Sequence, residues 1–159
     1  MHVVTCLEEA ETLLQRGDVD VNAYVRIAVR VETTETPLHC QSQFDRAAIV
    51  CRLLQFGADV NRREASVGNS PLHLARNPDI VGSLLDHGAD VNLQNISGDT
   101  PLHLAVKPVT KRIAEVVSLL LFRGADINVK NYSGDGRTPL FIAVAVNFEL
   151  PPIVDVMDN

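Results

Sequence analysis

Apolar residues recur along the chain in pairs set four positions apart. Ile49-Val50 precedes Leu53-Leu54, Ile80-Val81 precedes Leu84-Leu85, and Val116-Val117 precedes Leu120-Leu121. Positions four apart share one helical face, so each quartet predicts a short amphipathic helix with one apolar stripe. A glycine stands three residues after the second Leu each time, at Gly57, Gly88 and Gly124. A helix commonly ends on a left-handed residue there, a conformation that glycine takes without strain. A second apolar phrase precedes each quartet: Thr36-Pro37-Leu38-His39, Ser70-Pro71-Leu72-His73 and Thr100-Pro101-Leu102-His103, with Thr138-Pro139-Leu140-Phe141 as a fourth. Thr or Ser followed by Pro is a helix start, because the hydroxyl accepts an orphan N–H and Pro has none to lose. The pattern predicts pairs of short helices, with Leu38, Leu72, Leu102 and Leu140 turned inward.

These phrases form a repeat. Residues 57–61 and 88–92 read GADVN, residues 124–128 read GADIN, and residues 17–22 read GDVDVN with one extra position. Leu13-Leu14 precedes Gly17 as the other Leu pairs precede theirs. The spacings between Gly17, Gly57, Gly88 and Gly124 are 40, 31 and 36 residues. From the helix-start Thr or Ser to the stop Gly the distances are 21, 18 and 24 residues. These differ in steps of three, near the ~3.6 residues of one helical turn, so a turn lost or gained keeps the core stripe roughly in phase. The change is expected at the junction between the two helices, at Asn77-Pro78-Asp79 in the short repeat and Lys107 to Arg112 in the long one. No single helix pair encloses its own core, whereas stacked pairs bury a continuous one.

The combined phrase, TPLHLA followed by a helical run and LLxxGADVN, resembles the ankyrin repeat, whose period is about 33 residues. The resemblance covers nearly the whole chain, from about Leu7 onward. It implies an all-α repeat solenoid, an ankyrin-repeat stack of antiparallel helix pairs with β-hairpin fingers. The expected division is one domain over residues 1–159: a partial repeat over about 1–35, full repeats over about 36–69, 70–99 and 100–137, and a truncated repeat over 138–159. The longest finger, Val21 to Val31, is apolar at every odd position, which predicts an extended strand there. The ends lack polar caps, so further repeats beyond both ends, or an excerpt of a longer array, are expected. In the first full repeat Gln41-Ser42 stands where the family has Ala-Ala, marking either a binding position or a loosely stacked repeat.

Composition narrows the function. The formal charge of −6 argues against a general nucleic-acid or anionic-membrane binder, either of which needs a basic surface. No run approaches the ~18 apolar residues of a membrane span. No basic-then-apolar leader opens the chain. Cys6, Cys40 and Cys51 form neither a disulfide framework nor a metal-spaced pair, so a reducing compartment, cytoplasmic or nuclear, is expected. No motif for a nucleophile elbow, zinc helix, phosphate loop or dinucleotide site is present. No cofactor, no metal and no enzymatic activity are expected. His39, His73 and His103 share one repeat position, but Phe141 fills it in the last repeat. That favours a structural tie between repeats over chemistry. The Gly134-Asp135-Gly136 sequence reads as a hairpin turn rather than a phosphate cradle.

What remains is recognition of another protein. In the ankyrin family, partners dock on the concave face made by finger tips and first helices. By that resemblance the candidate partner-binding residues are Tyr24, Arg62, Arg63, Gln94, Lys130, Tyr132 and Arg137 on the fingers, with Gln43 and Phe44 late in a first helix. Tyr and Arg are enriched at interface hot spots, which singles out Tyr24, Arg63, Tyr132 and Arg137. Some family members are hydroxylated on the Asn closing GADVN, making Asn61, Asn92 and Asn128 candidate hydroxylation sites. The expected function is a protein–protein interaction module: an adaptor, scaffold or inhibitor. The alternative is an accessory recognition segment of a longer enzyme or channel.

Overall fold

The computed structural model describes residues 35–106 and 111–148. The first partial repeat and the strand expected over 21–31 lie outside the described residues. Seven helices follow: α1 (Pro37–Gln43), α2 (Ala47–Gln55), α3 (Pro71–Leu74), α4 (Pro78–Asp86), α5 (Pro101–Ala105), α6 (Lys111–Phe122) and α7 (Pro139–Phe148). They stack in two rows. The inner row α1, α3, α5, α7 packs neighbour on neighbour, and the outer row α2, α4, α6 does the same. This is the all-α repeat stack that the Leu pairs and Thr-Pro starts predict.

Three of the inner helices, α1, α3 and α5, open on a reciprocal cap. The hydroxyls of Thr36, Ser70 and Thr100 accept the N3 backbone N–H, and His39, His73 and His103 at N3 accept the cap backbone N–H in return. Glu or Gln commonly completes this box, and here the imidazole does so. The repeat-length differences fall at two separate places. The short repeat loses its turn from the inner helix: α3 has 4 residues, and its C-cap, Ala75, is already extended at ψ 131°. The long repeat gains its turn in the outer helix, where α6 has 12 residues against 9 in α2 and α4.

The core runs unbroken through the stack. Leu38, Val50, Leu72, Ile80, Val81, Leu84, Leu102, Val116 and Leu120 are all buried. Leu140 departs from expectation, being 62% exposed where its three equivalents are fully covered. Those equivalents lie beneath their own outer helix and the next repeat, and neither has a described counterpart after α7.

Gln41 and Ser42 are buried, so Gln41 is not an exposed binding position. It fills the slot that Ala75 and Ala105 occupy in the following repeats. Its Oε1 and the Ser42 Oγ have no hydrogen-bond partner. Leaving such a group unsatisfied costs about 1–3 kcal/mol, which identifies this as the poorly matched layer of the stack.

The described fingers contain no β-strand. Each finger is a tight loop with a main-chain hydrogen bond across its base: Glu64 N–H to Asn69 at 2.9 Å, Asn95 N–H to Asp99 at 2.9 Å, and Asn131 N–H to Arg137 at 3.0 Å. The physical reason is inside the loop. Side chains of Glu64, Asn95 and Asn131 take up the N–H groups that a strand ladder would have used.

Candidate protein-binding surface

Fingers are built around one residue each, three positions after the motif Asn. Asn95 Oδ1 accepts from the backbone of Ser97 and Asp99, both at 2.9 Å, while its Nδ2 donates to Asn69 Oδ1 of the preceding finger at 2.8 Å. Asn131 repeats this, donating to Asp99 Oδ1 at 2.7 Å. Glu64 is the carboxylate version, accepting from the Ser66 hydroxyl and from the backbone of Ser66, Val67 and Asn69. Burial opposes its charge, but these donors outweigh that and hold its pKa below the ordinary carboxylate value. The sequence pattern did not single out these three residues, although their constant offset from the motif Asn was the available signal.

Neighbouring fingers are joined at their tips. Ile96 N–H donates to the Val67 carbonyl at 2.9 Å, and Tyr132 N–H to that of Ser97 at 2.8 Å. Gly98 makes the second contact feasible. It sits at φ +74°, and a Cβ there would lie 2.7 Å from the Tyr132 nitrogen, so no other residue fits. The tips therefore line up Val67, Ile96 and Tyr132, all exposed, as one apolar ridge.

The repeats are also tied beneath the fingers. Each buried imidazole accepts at Nδ1 from its cap residue and donates at Nε2 to the carbonyl of the residue directly before the next repeat's Thr or Ser, at the junction of the two repeats. His39 reaches Asn69, His73 reaches Asp99 and His103 reaches Arg137, each at 3.0 Å. A carbonyl can only accept, and the cap N–H can only donate, so the neutral Nε2–H tautomer is required. Desolvation lowers the pKa of His39 and takes that of His73 down to about 4, against the opposing pull of the carbonyl bonds. Burial and the neighbouring Glu35 carboxylate push the Cys40 thiol up to about 12, so it is no nucleophile.

Asn61 and Asn92 serve as ties of the same kind. Asn61 Nδ2 donates to the Gly88 carbonyl at 3.0 Å and its Oδ1 accepts from Asp90 N–H at 2.8 Å. Asn92 does likewise with Gly124 at 3.1 Å and Asp126 at 2.8 Å. Asn128 is exposed and makes no such pair of bonds among the described residues.

The sequence-predicted binding residues fall in four groups. Arg62, Arg63, Lys130, Tyr132 and Arg137 are exposed along the finger row. Arg137 lies over the Phe141 ring, 5.6 Å from its centroid, so part of its surface is committed to that stack. Gln94 is a spacer rather than a free contact, because its amide donates to the carbonyls of Gly98 and Lys130 at 2.9 and 3.1 Å. Gln43 and Phe44 stand at the far end of α1, about 10 Å of helix from the fingers, and Phe44 is 63% exposed. Tyr24 lies outside the described residues. No group of three or more His, Cys, Asp or Glu able to hold a metal occurs among the described residues.

A stack of capped helix pairs, tied repeat to repeat through imidazoles and asparagines and edged with short fingers, defines a helical solenoid protein. A family model for ankyrin repeats matches in three overlapping copies, over residues 5–95, 42–131 and 76–154, and the chain belongs to the ankyrin-repeat family. Among curated proteins it is 41% identical over 97 residues to the ankyrin repeat protein FPV031 of Fowlpox virus (strain NVSL), covering 59% of this chain and 27% of that one. It is 41% identical over 71 residues to the regulatory protein NPR5 of Arabidopsis thaliana, covering 42% and 14% respectively. A BTB/POZ domain and ankyrin repeat-containing protein NPR5 of Oryza sativa subsp. japonica matches at 45% over 60 residues, 35% of this chain and 12% of its own length. The chain thus spans about a quarter or less of the curated relatives it matches. Ankyrin repeats are generally protein–protein interaction modules and typically non-enzymatic.

Proposed function

We propose that this chain is a protein-recognition module, an adaptor, scaffold or inhibitor, that buries its finger row and inner helices against a partner protein in the cytoplasm or nucleus. The observation that carries the reading is the exposed apolar ridge Val67–Ile96–Tyr132, flanked by the cationic side chains Arg62, Arg63 and Lys130. Tyrosine and arginine around an apolar centre is the composition of an interface hot spot. The tips are held by main-chain bonds, so the surface is ordered before binding and loses little entropy on docking. A second reading makes the repeats the recognition segment of a longer protein, and the small share of each relative's length that is matched favours it.

Affinity capture with the intact chain and with a Tyr24→Ala, Arg63→Ala, Tyr132→Ala triple variant tests the reading. A partner held by the first and lost by the second, with unchanged helical circular dichroism, is the expected result. Retention by the folded variant sinks the finger assignment. Of the three candidate hydroxylation sites, we propose Asn128 as the accessible one, since the amides of Asn61 and Asn92 hold the next repeat. A mass increase of about 16 Da at Asn61 or Asn92 instead would reverse that order.

A further inference from the structure

The first finger differs from the other two in the residue at its centre. Asn95 and Asn131 organise theirs with a neutral amide, whereas Glu64 uses a buried carboxylate. That carboxylate accepts from the Ser66 hydroxyl, from the Ser66 N–H at 2.6 Å, from the Val67 N–H at 2.9 Å and from the Asn69 N–H at 3.0 Å. The same loop is a junction between repeats. The Val67 carbonyl accepts from the Ile96 N–H of the next finger at 2.9 Å, and the Asn69 carbonyl from His39 Nε2 at 3.0 Å. Asn69 Oδ1 accepts from the Asn95 amide at 2.8 Å. Displacing the Glu64 carboxylate therefore loosens the finger that begins the apolar ridge.

The segment ending on Ser66 reads Arg62-Arg63-Glu64-Ala65-Ser66. Ser66 and both arginines are exposed and lie outside any helix. Protein kinases select substrates partly by charge pattern, and a guanidinium fork pairs bidentately with carboxylates of a substrate groove. The other exposed serines among the described residues lack this arginine pair four and three positions before them. Ser97 has Leu93 and Gln94 there, Ser118 has Ala114 and Glu115, and Ser133 has Val129 and Lys130. The consequence of modification is also particular to Ser66. A phosphate there removes the proton that the hydroxyl donates and sets about −1.5 to −2 of charge beside the Glu64 carboxylate. At Ser97 or Ser133 the facing side chain is a neutral amide.

We propose that Ser66 is a phosphorylation site for an arginine-directed serine kinase, and that phosphate there opens the first finger and takes Val67 out of the ridge. In the transfer, Ser66 Oγ attacks the terminal phosphorus of ATP and gives its proton to the base of the kinase. The new O–P bond forms as the bond to the β,γ-bridging oxygen breaks, and ADP leaves. The effect on partner binding rests on the reading of the ridge as a docking surface, whereas the modification does not.

The test uses the full native chain, labelled with nitrogen-15, with ATP, magnesium and a serine kinase selective for arginine three residues before its target. Expected is a mass increase of about 80 Da at Ser66, absent in Ser66→Ala and formed about ten-fold more slowly in Arg63→Gln. The Val67, Asn69 and Ile96 amide signals should then shift and exchange with solvent about ten-fold faster, while those of α6 keep their protection. Phosphorylated Glu64→Gln should show a smaller change, because the repelled charge is gone. Phosphate that appears only in urea, equal phosphate at Ser97 or Ser133, or an equal rate in Arg63→Gln overturns the proposal. So does a phosphorylated Ser66 with the Val67 and Ile96 amides unmoved. If Tyr132→Ala loses a captured partner while Ser66 takes no phosphate, the ridge reading stands and this proposal fails. If Ser66 takes phosphate and its finger opens while Tyr132→Ala keeps every partner, the switch stands and the ridge reading fails.

Discussion

His39, His73 and His103 show how a titratable residue becomes structural. Each imidazole spends Nδ1 as acceptor and Nε2 as donor in a buried site, so adding a proton places N–H against N–H. For His73 the folded pKa of about 4 lies below the ordinary value near 6.5. The unfolded chain therefore binds a proton first, and stability is full above about pH 6.5 and declines toward pH 4, by roughly 3 kcal/mol from this residue. Glu64 acts in the same direction at lower pH: its folded pKa is depressed, so its contribution disappears as it protonates. We expect the urea midpoint to fall between pH 7.5 and 4.5, and the fall to be smaller in His73→Gln despite its lower starting stability. An equal slope in the two proteins would refute the assignment. The finger glycine gives a second prediction at this scale. Gly98→Ala meets both a positive φ and a 2.7 Å contact with backbone, so it should cost about 1–3 kcal/mol and broaden the Tyr132 amide signal.

At the scale of the element, the helices were written in the sequence more plainly than the loops. Thr-Pro starts, Leu pairs and stop glycines gave α1 to α7 their places because each signal is local: a cap, a missing N–H, a shared face. Leu84 follows directly. It lies fully buried in α4, and Leu84→Ala should lower unfolding free energy by about 2–5 kcal/mol in urea titration. The strand that alternation predicts over Val21 to Val31 lies outside the described residues, and the described fingers owe their shape to side chains that capture loop N–H groups. Glu64, Asn95 and Asn131 do so, and only the folded loop shows it. Leu140 was read as core because its phrase matches Leu38, yet burial belongs to the neighbours and not to the phrase. Gln94 was read from its finger position as a candidate partner-binding residue, and its amide bridges two carbonyls. Of the candidate surface, the sequence made the row of finger residues legible. The junction at which the Asp45 carboxylate accepts from Asn77 and Arg112 was not, since residues 45, 77 and 112 meet only when three repeats stack.

The whole molecule is a sequence of similar interfaces, and that fixes how damage should spread. The first two described interfaces each carry one imidazole tie and one asparagine tie, together with the packing of one inner and one outer helix on the next, while the third carries the His103 tie and the packing of α5 on α7. In such a stack, stability is approximately a sum of repeat and nearest-neighbour terms. Asn92 bridges the third described repeat through the Gly124 carbonyl and Asp126 N–H. Asn92→Ala removes both bonds at once and should weaken that interface by roughly 1–3 kcal/mol. The loss should stay local. Amide hydrogen exchange is expected to speed up in α6, α7 and the finger between them, while α1 and α2 keep their protection. Asn61→Ala should move the boundary one repeat toward the N-terminus. One link runs counter to this locality, because the Asp45–Arg112 pair skips a repeat. It is exposed and worth no more than about 1 kcal/mol, too little to make distant repeats unfold together. Uniform acceleration of exchange across all helices in Asn92→Ala would show a fully cooperative unit and rule out the additive stack.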